Sequence, residues 1–178
     1  GWASLALDER GNGETRPTQT TQEKEFQKFT QGKEVLEAET ALDVLKSYDV
    51  LKNFPVNREK TILIGESMGG RYALMAAGID ESISGATIIS SAGYDLPQTP
   101  DAKQNTFIKI IDPDTYVAQI KKPILFIHSN TDTVIPINLA RNTFALANEP
   151  KKFVEVNCPH GYCSEMNLHI TEFLNTLR

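Results

Sequence analysis

Three side chains in this sequence could together activate a nucleophile. Ser67 stands in Gly65-Glu66-Ser67-Met68-Gly69, a G-x-S-x-G pattern that follows the apolar run "TILIG" and precedes a helix-like segment. In a strand-turn-helix setting such a serine sits at a sharp bend. The glycines leave room for strand and helix to approach, and Oγ is lifted clear of the sheet. The next amide, that of Met68, then lies at a helix N-terminus, where it can donate to a developing oxyanion. A serine that only closes a tight turn would fit the same five residues. A hydroxyl is a poor nucleophile unless a base is held beside it by a third group, so the catalytic reading requires both partners.

The chain has three histidines. His128 ends the apolar run "PILFIH" and is expected to pack or hydrogen-bond locally. His169 falls within the last helix-like segment. His160 stands in "NCPHGY", a loop between the last strand-like run and the last helix, and is the candidate base. The candidate acid is Asp132 in "HSNTDTVIP", at a turn following a buried-looking strand. Asp95, Asp112 and Asp114 are alternatives in a less regular segment. Ser67, Asp132 and His160 would all lie on loops at one edge of a parallel sheet, the edge where such folds bind ligands.

His160 is bracketed by the only two cysteines, Cys158 and Cys163. They fit two free thiols, a small disulfide, or part of a metal site with His160. A metal site normally draws three or four ligands at known spacings, and no fourth ligand is evident here. Neither a metal nor an organic cofactor is needed for the chemistry above.

Bulk properties narrow the field. A chain of 178 residues, 40% hydrophobic and 23% charged, is long enough for one globular domain with a core. A net charge of −5 argues against nucleic-acid binding, which needs clustered basic residues. Pairs such as Lys121-Lys122 and Lys151-Lys152 read as solvated strand ends. No signal-peptide pattern appears, and no apolar run approaches the roughly 20 residues of a membrane span.

The positioning elements alternate. Strand-like runs are "WASLAL" (Trp2 to Leu7), "TILIG" (Thr61 to Gly65), "GATIIS" (Gly85 to Ser90), "PILFIH" (Pro123 to His128) and "KFVEVN" (Lys152 to Asn157). Helix-like segments are Lys33 to Lys52, Met68 to Ala77, Ile137 to Ala147 and Ser164 to Leu177, with apolar residues three and four apart. The pattern predicts a single α/β domain over 1–178, with a mostly parallel sheet and helices on both faces. Ala92 to Ile120 reads as irregular, with "YDLPQTPDAKQNT" a loop. Thr15 to Gly32 reads as surface loop with a short helix.

These motifs resemble the α/β-hydrolase superfamily, in its dienelactone hydrolase and prolyl oligopeptidase-like branches. "GESMGG" resembles the nucleophile turn, "KKPILFIHSNTDTVIP" the acid segment and "CPHGY" the histidine loop. The order Ser67, Asp132, His160 is that of the superfamily. "GWASLALDERGNGET" resembles the family's fourth strand and following turn, a structural motif on which Gly1, Asp8, Arg10, Gly11 and Gly13 fall. The resemblance spans essentially the whole chain as the C-terminal two thirds of the family fold, with about five strands expected and none of the family's first three. It implies a serine hydrolase acting on carboxylic esters or similar small-molecule acyl bonds. Ser67 would be nucleophile, His160 base, Asp132 orienter and Met68 N–H oxyanion donor. A peptidase or thioesterase would use the same machinery, and a non-catalytic fragment or binding module is the alternative from another class. In the family the third strand separates the fourth from the fifth, and the loop after it supplies the other oxyanion amide. Without that strand an unpaired sheet edge would invite self-association.

Overall fold

Apolar runs bounded by turn residues, alternating with segments of helical period, build four parallel strands and seven α-helices among the described residues. The computed structural model describes residues 1–15 and 20–177. Part of the predicted Thr15–Gly32 loop, residues 16–19, therefore lies outside the described residues. The chain divides into two compact units, Gly1–Val56 with Leu96–Ile111, and Asn57–Asp95 with Asp112–Arg178.

The first unit holds helices α1 (Gln22–Thr30), α2 (Leu36–Leu51) and α4 (Ala102–Ile111). Thr21 caps α1 by accepting from Lys24 N. The carboxylate of Glu25, fully buried, accepts from Leu36 N at 2.8 Å and from Lys28 Nζ at 2.7 Å, so α1 caps α2. Phe26, Phe29 and Phe107 gather with Val35 and Ile111 into the core of this unit. Arg10 pairs with Glu39 at 3.0 Å and with Asp43 at 2.5 Å, which ties the "DERG" turn to α2. That fits the structural reading of this motif.

Two expectations fail here. "WASLAL" forms no strand: Trp2, Leu5 and Leu7 are 41%, 48% and 42% exposed, and no regular structure covers the segment. A strand is stabilised by a ladder partner and a covered face, and among the described residues none pairs with it. The sheet accordingly has four strands rather than about five. The loop predicted through "DAKQNT" is also wrong, because α4 begins at Ala102. Asp101 Oδ1 accepts from Lys103 N at 2.7 Å and Gln104 N at 3.3 Å, an N-cap that the two nearby prolines obscured.

The second unit is built on β1 (Ile62–Glu66), β2 (Gly85–Ile89), β3 (Ile124–Ser129) and β4 (Lys151–Val156), all parallel and in the order β1-β2-β3-β4. The helices are α3 (Met68–Ile79), the short α5 (Asp114–Val117), α6 (Ile137–Leu146) and α7 (Met166–Thr176). Every residue of β2 and β3 is buried, as expected of strands covered on both faces. Successive side chains point to opposite faces. Leu125, Ile127, Val154 and Val156 therefore pack with Met166 and Phe173 of α7. The alternate residues Phe126 and Phe153 meet Phe144 of α6, at ring separations of 5.6 and 5.2 Å. Helices thus cover both faces of this sheet, as the sequence predicts. No helix among the described residues is long and apolar enough to cross a membrane.

Candidate active site

The site lies entirely within the second unit, at the carboxyl ends of β1, β3 and β4. Ser67 follows β1 directly and precedes α3. Its amide continues the ladder by donating to Ile89 O at 2.8 Å, and the chain then turns sharply. At φ 51°, ψ −116° Ser67 adopts a conformation that L-residues rarely take, a strain of about 1–3 kcal/mol held in place by the surrounding structure. The glycine at 65 is required by space. A Cβ there would stand 2.2 Å from Gly69 O. The same holds at Gly70, where a Cβ would stand 2.5 Å from Ser91 Cβ. Met68 is the first residue of α3, so its N–H is among the helix donors that have no intrahelical acceptor. Arg71 Nε donates to Ala92 O at 2.9 Å, which fastens α3 to the segment after β2.

Asp132 turns the chain after β3. Its Oδ1 accepts from Val134 N at 2.8 Å and Ile135 N at 2.9 Å, and its Oδ2 accepts from His160 Nδ1 at 2.7 Å. The side chain is fully buried. Burial pushes the carboxyl up, but the hydrogen bonds from His160, Ile135 and Val134 outweigh it and hold the group below its ordinary value. It is therefore a carboxylate at neutral pH. With Nδ1–H donated to Asp132, His160 presents Nε2 as acceptor, 2.9 Å from Ser67 Oγ. The structure thus joins Ser67, His160 and Asp132, which are widely separated in sequence, in one hydrogen-bonded chain.

The remaining sequence candidates lie elsewhere. His128 is 1% exposed and donates Nε2–H to Ile135 O at 2.8 Å, the local packing role expected of it. Burial depresses its basicity, so it stays neutral beside Asp132, 3.5 Å from Oδ2. His169 lies in α7. Asp112 accepts from Tyr94 N and Asp114 N, both at 3.1 Å, while Asp95 accepts from Asn142. Cys158 and Cys163 are bonded to each other, which settles the choice between thiols and disulfide. Glu165 lies close to both sulfurs, but a disulfide offers no thiolate to a metal. The bond closes the short loop that carries His160. Sequence reasoning missed the hydroxyls of Ser90 and Ser129, which bond this same loop. Their one signal was a serine at the end of a buried strand.

The profile of the Dienelactone hydrolase family matches residues 9–162. The chain belongs to the dienelactone hydrolase family. The match spans both units and includes Ser67, Asp132 and His160. A protein of Bacillus subtilis (strain 168), described as "Uncharacterized protein YqkD", is 27% identical over 165 residues, covering 76% of this chain and 54% of its own length. Among solved structures, Acetyl Xylan Esterase 1 from Thermoanaerobacterium sp. JW/SL YS485 is similar with a TM-score of 0.69 at 15% identity, covering 81% of this chain and 54% of that one. The α/β hydrolase GrgF from Penicillium sp. sh18 has a TM-score of 0.65 at 16% identity, covering 79% of this chain and 72% of that one. These likenesses show the α/β-hydrolase fold. The chain spans about half the length of the Bacillus relative and of the xylan esterase.

Proposed function

We propose that this protein is a serine hydrolase that cleaves carboxylic esters, or similar acyl bonds, through an acyl-enzyme. The observation that carries the proposal is the hydrogen-bonded chain from Asp132 through His160 to Ser67, with the serine in a strained turn at a helix N-terminus. His160 Nε2 takes the proton from Ser67 Oγ as the oxygen attacks the substrate carbonyl. Asp132 keeps Nδ1 protonated and stabilises the imidazolium that forms. The amide of Met68, at the start of α3, donates to the oxyanion. His160 then protonates the leaving alcohol, and water, activated by the same imidazole, releases the acid and restores Ser67. Membership of the dienelactone hydrolase family supports hydrolysis as the reaction class. The likeness to an acetyl xylan esterase makes short acyl esters the first substrates to try.

A fluorophosphonate probe tests the assignment. Labelling at Ser67 that is abolished by Ser67→Ala is the expected result. Labelling that survives the substitution, or none on the unmodified chain, refutes it. Hydrolysis of p-nitrophenyl acetate is expected to exceed that of the palmitate, and the reverse preference would remove the short-acyl reading.

A further inference from the structure

We propose that Ser129, together with Ser90, is a positioning residue for this reaction, fixing the loop that carries His160 to the strand ends and to the turn that carries Asp132. The inference rests on the triad reading above.

Ser129 is the last residue of β3 and is fully buried. Its Oγ accepts from Thr131 N and from Cys158 N, both at 3.1 Å, and donates to Cys158 O. A hydroxyl has one proton and two lone pairs, so all three capacities are used. Thr131 Oγ1 adds a second donor to Cys158 O at 3.0 Å. One oxygen atom therefore links the residue before Asp132 to the residue two before His160. The other flank of His160 is held by Ser90, also fully buried, the residue that follows β2. Its Oγ donates to Gly161 O at 3.2 Å. Ser90 sits at φ +46°, a region that disfavours a residue with a side chain.

The need for such a grip follows from topology. The last ladder bond between β3 and the β4 end is Asn130 N to Val156 O at 3.1 Å. Beyond it the chain leaves the sheet, and His160 would be free to shift relative to Asp132. Serine hydroxyls take over the carbonyls at 158 and 161, either side of the histidine. The distances of 2.7 Å to Asp132 and 2.9 Å to Ser67 depend on that placement.

A buried serine that only satisfied nearby backbone would affect stability and leave the imidazole undisturbed. Ser91 provides the comparison, being 1% exposed with an Oγ that has no hydrogen-bond partner among the described residues. The experiment measures kcat and KM on p-nitrophenyl acetate, melting temperature, and the downfield proton resonance of His160 Nδ1–H for Ser129→Ala, Ser90→Ala and Ser91→Ala. Displacement of a catalytic group by an ångström can cost a factor of about 10². Ser129→Ala is expected to lower kcat by about 10- to 100-fold with KM within about twofold, and to shift or broaden the imidazole resonance. Ser90→Ala is expected to do the same in smaller measure, and it carries the test if Ser129→Ala does not fold. Ser91→Ala should leave both readouts unchanged. The proposal is overturned if the folded Ser129 or Ser90 variant keeps the resonance and kcat of the unmodified chain, or loses no more than Ser91→Ala does. Fluorophosphonate labelling of the unmodified chain separates the two readings. If Ser67 does not label, the functional reading fails on its own, and the resonance still reports whether the two serines hold the imidazole.

Discussion

Replacing Asp132 by asparagine tests the electrostatic logic of the site with almost no change of shape. The carboxylate accepts on both oxygens, from the amides of Val134 and Ile135 on Oδ1 and from His160 Nδ1 on Oδ2. Asparagine has one acceptor oxygen and one donor amide, so it cannot satisfy both sides. With its oxygen toward the two backbone amides, its NH2 faces His160 Nδ1. The ring must then carry its proton on Nε2, the atom 2.9 Å from Ser67 Oγ, where it donates to the serine instead of accepting from it. The opposite orientation restores the useful tautomer but sets NH2 against two N–H donors, that of Ile135 buried and that of Val134 part-buried. Leaving each donor unpaired costs about 1–3 kcal/mol, so the useful orientation lies roughly 2–6 kcal/mol higher. At about 1.4 kcal/mol per factor of ten, the competent fraction falls by roughly 30-fold to 10⁴-fold. Initial rates of p-nitrophenyl acetate hydrolysis and of fluorophosphonate labelling at neutral pH should both fall within that range. A variant that keeps more than about a third of the unmodified activity would show that Asp132 does not set the tautomer of His160, and the assigned acid would be wrong.

Two other perturbations have defined outcomes. Burial raises the Asp114 carboxyl from 3.8 to about 6; Thr143 and Arg71 oppose the shift, and Asp112 and Asp95 add to it. Its folded-state value lies above its unfolded one, so the native chain holds the extra proton between pH 3.8 and about 6 and becomes more stable as pH falls through that window. Asp114→Asn is therefore expected to raise stability at pH 8 by about 1–2 kcal/mol, a discounted share of the full shift, and to lose that advantage as pH falls toward 4. Melting curves across this range check it, and an advantage that does not shrink on acidification would refute the assignment. The Cys158–Cys163 bond closes the short loop around His160. Reduction by a dithiol, or Cys163→Ser, is expected to cost about 2 kcal/mol of stability and to lower kcat severalfold. A melting temperature and kcat indifferent to dithiothreitol would mean that the bond does not constrain the loop.

The period and punctuation of the sequence are local properties, and they carried the parts of this protein that local forces decide. Apolar runs such as "PILFIH" become strands because a chain segment buried on both faces must be apolar throughout. The spacing of Gly65, Ser67 and Gly69 marks a bend where, at Gly65, backbone meets backbone within a few ångströms. The α/β class, a mostly parallel sheet covered on both faces and three candidate residues in three separate loops could all be read at that level. "WASLAL" shows the limit: its composition suits a strand, but a strand requires a neighbour, and pairing is not a property of the segment itself. The bonded state of Cys158 and Cys163, the carbonyls held by Ser90 and Ser129, and the tautomer of His160 were likewise beyond the sequence. Each depends on atoms that are distant in the chain and meet only when β2, β3 and β4 lie side by side. Sequence determined which residues were available for chemistry. Tertiary structure decided which of them touch, because hydrogen bonds act over about 3 Å and the chain between Ser67 and His160 has to fold before that distance exists.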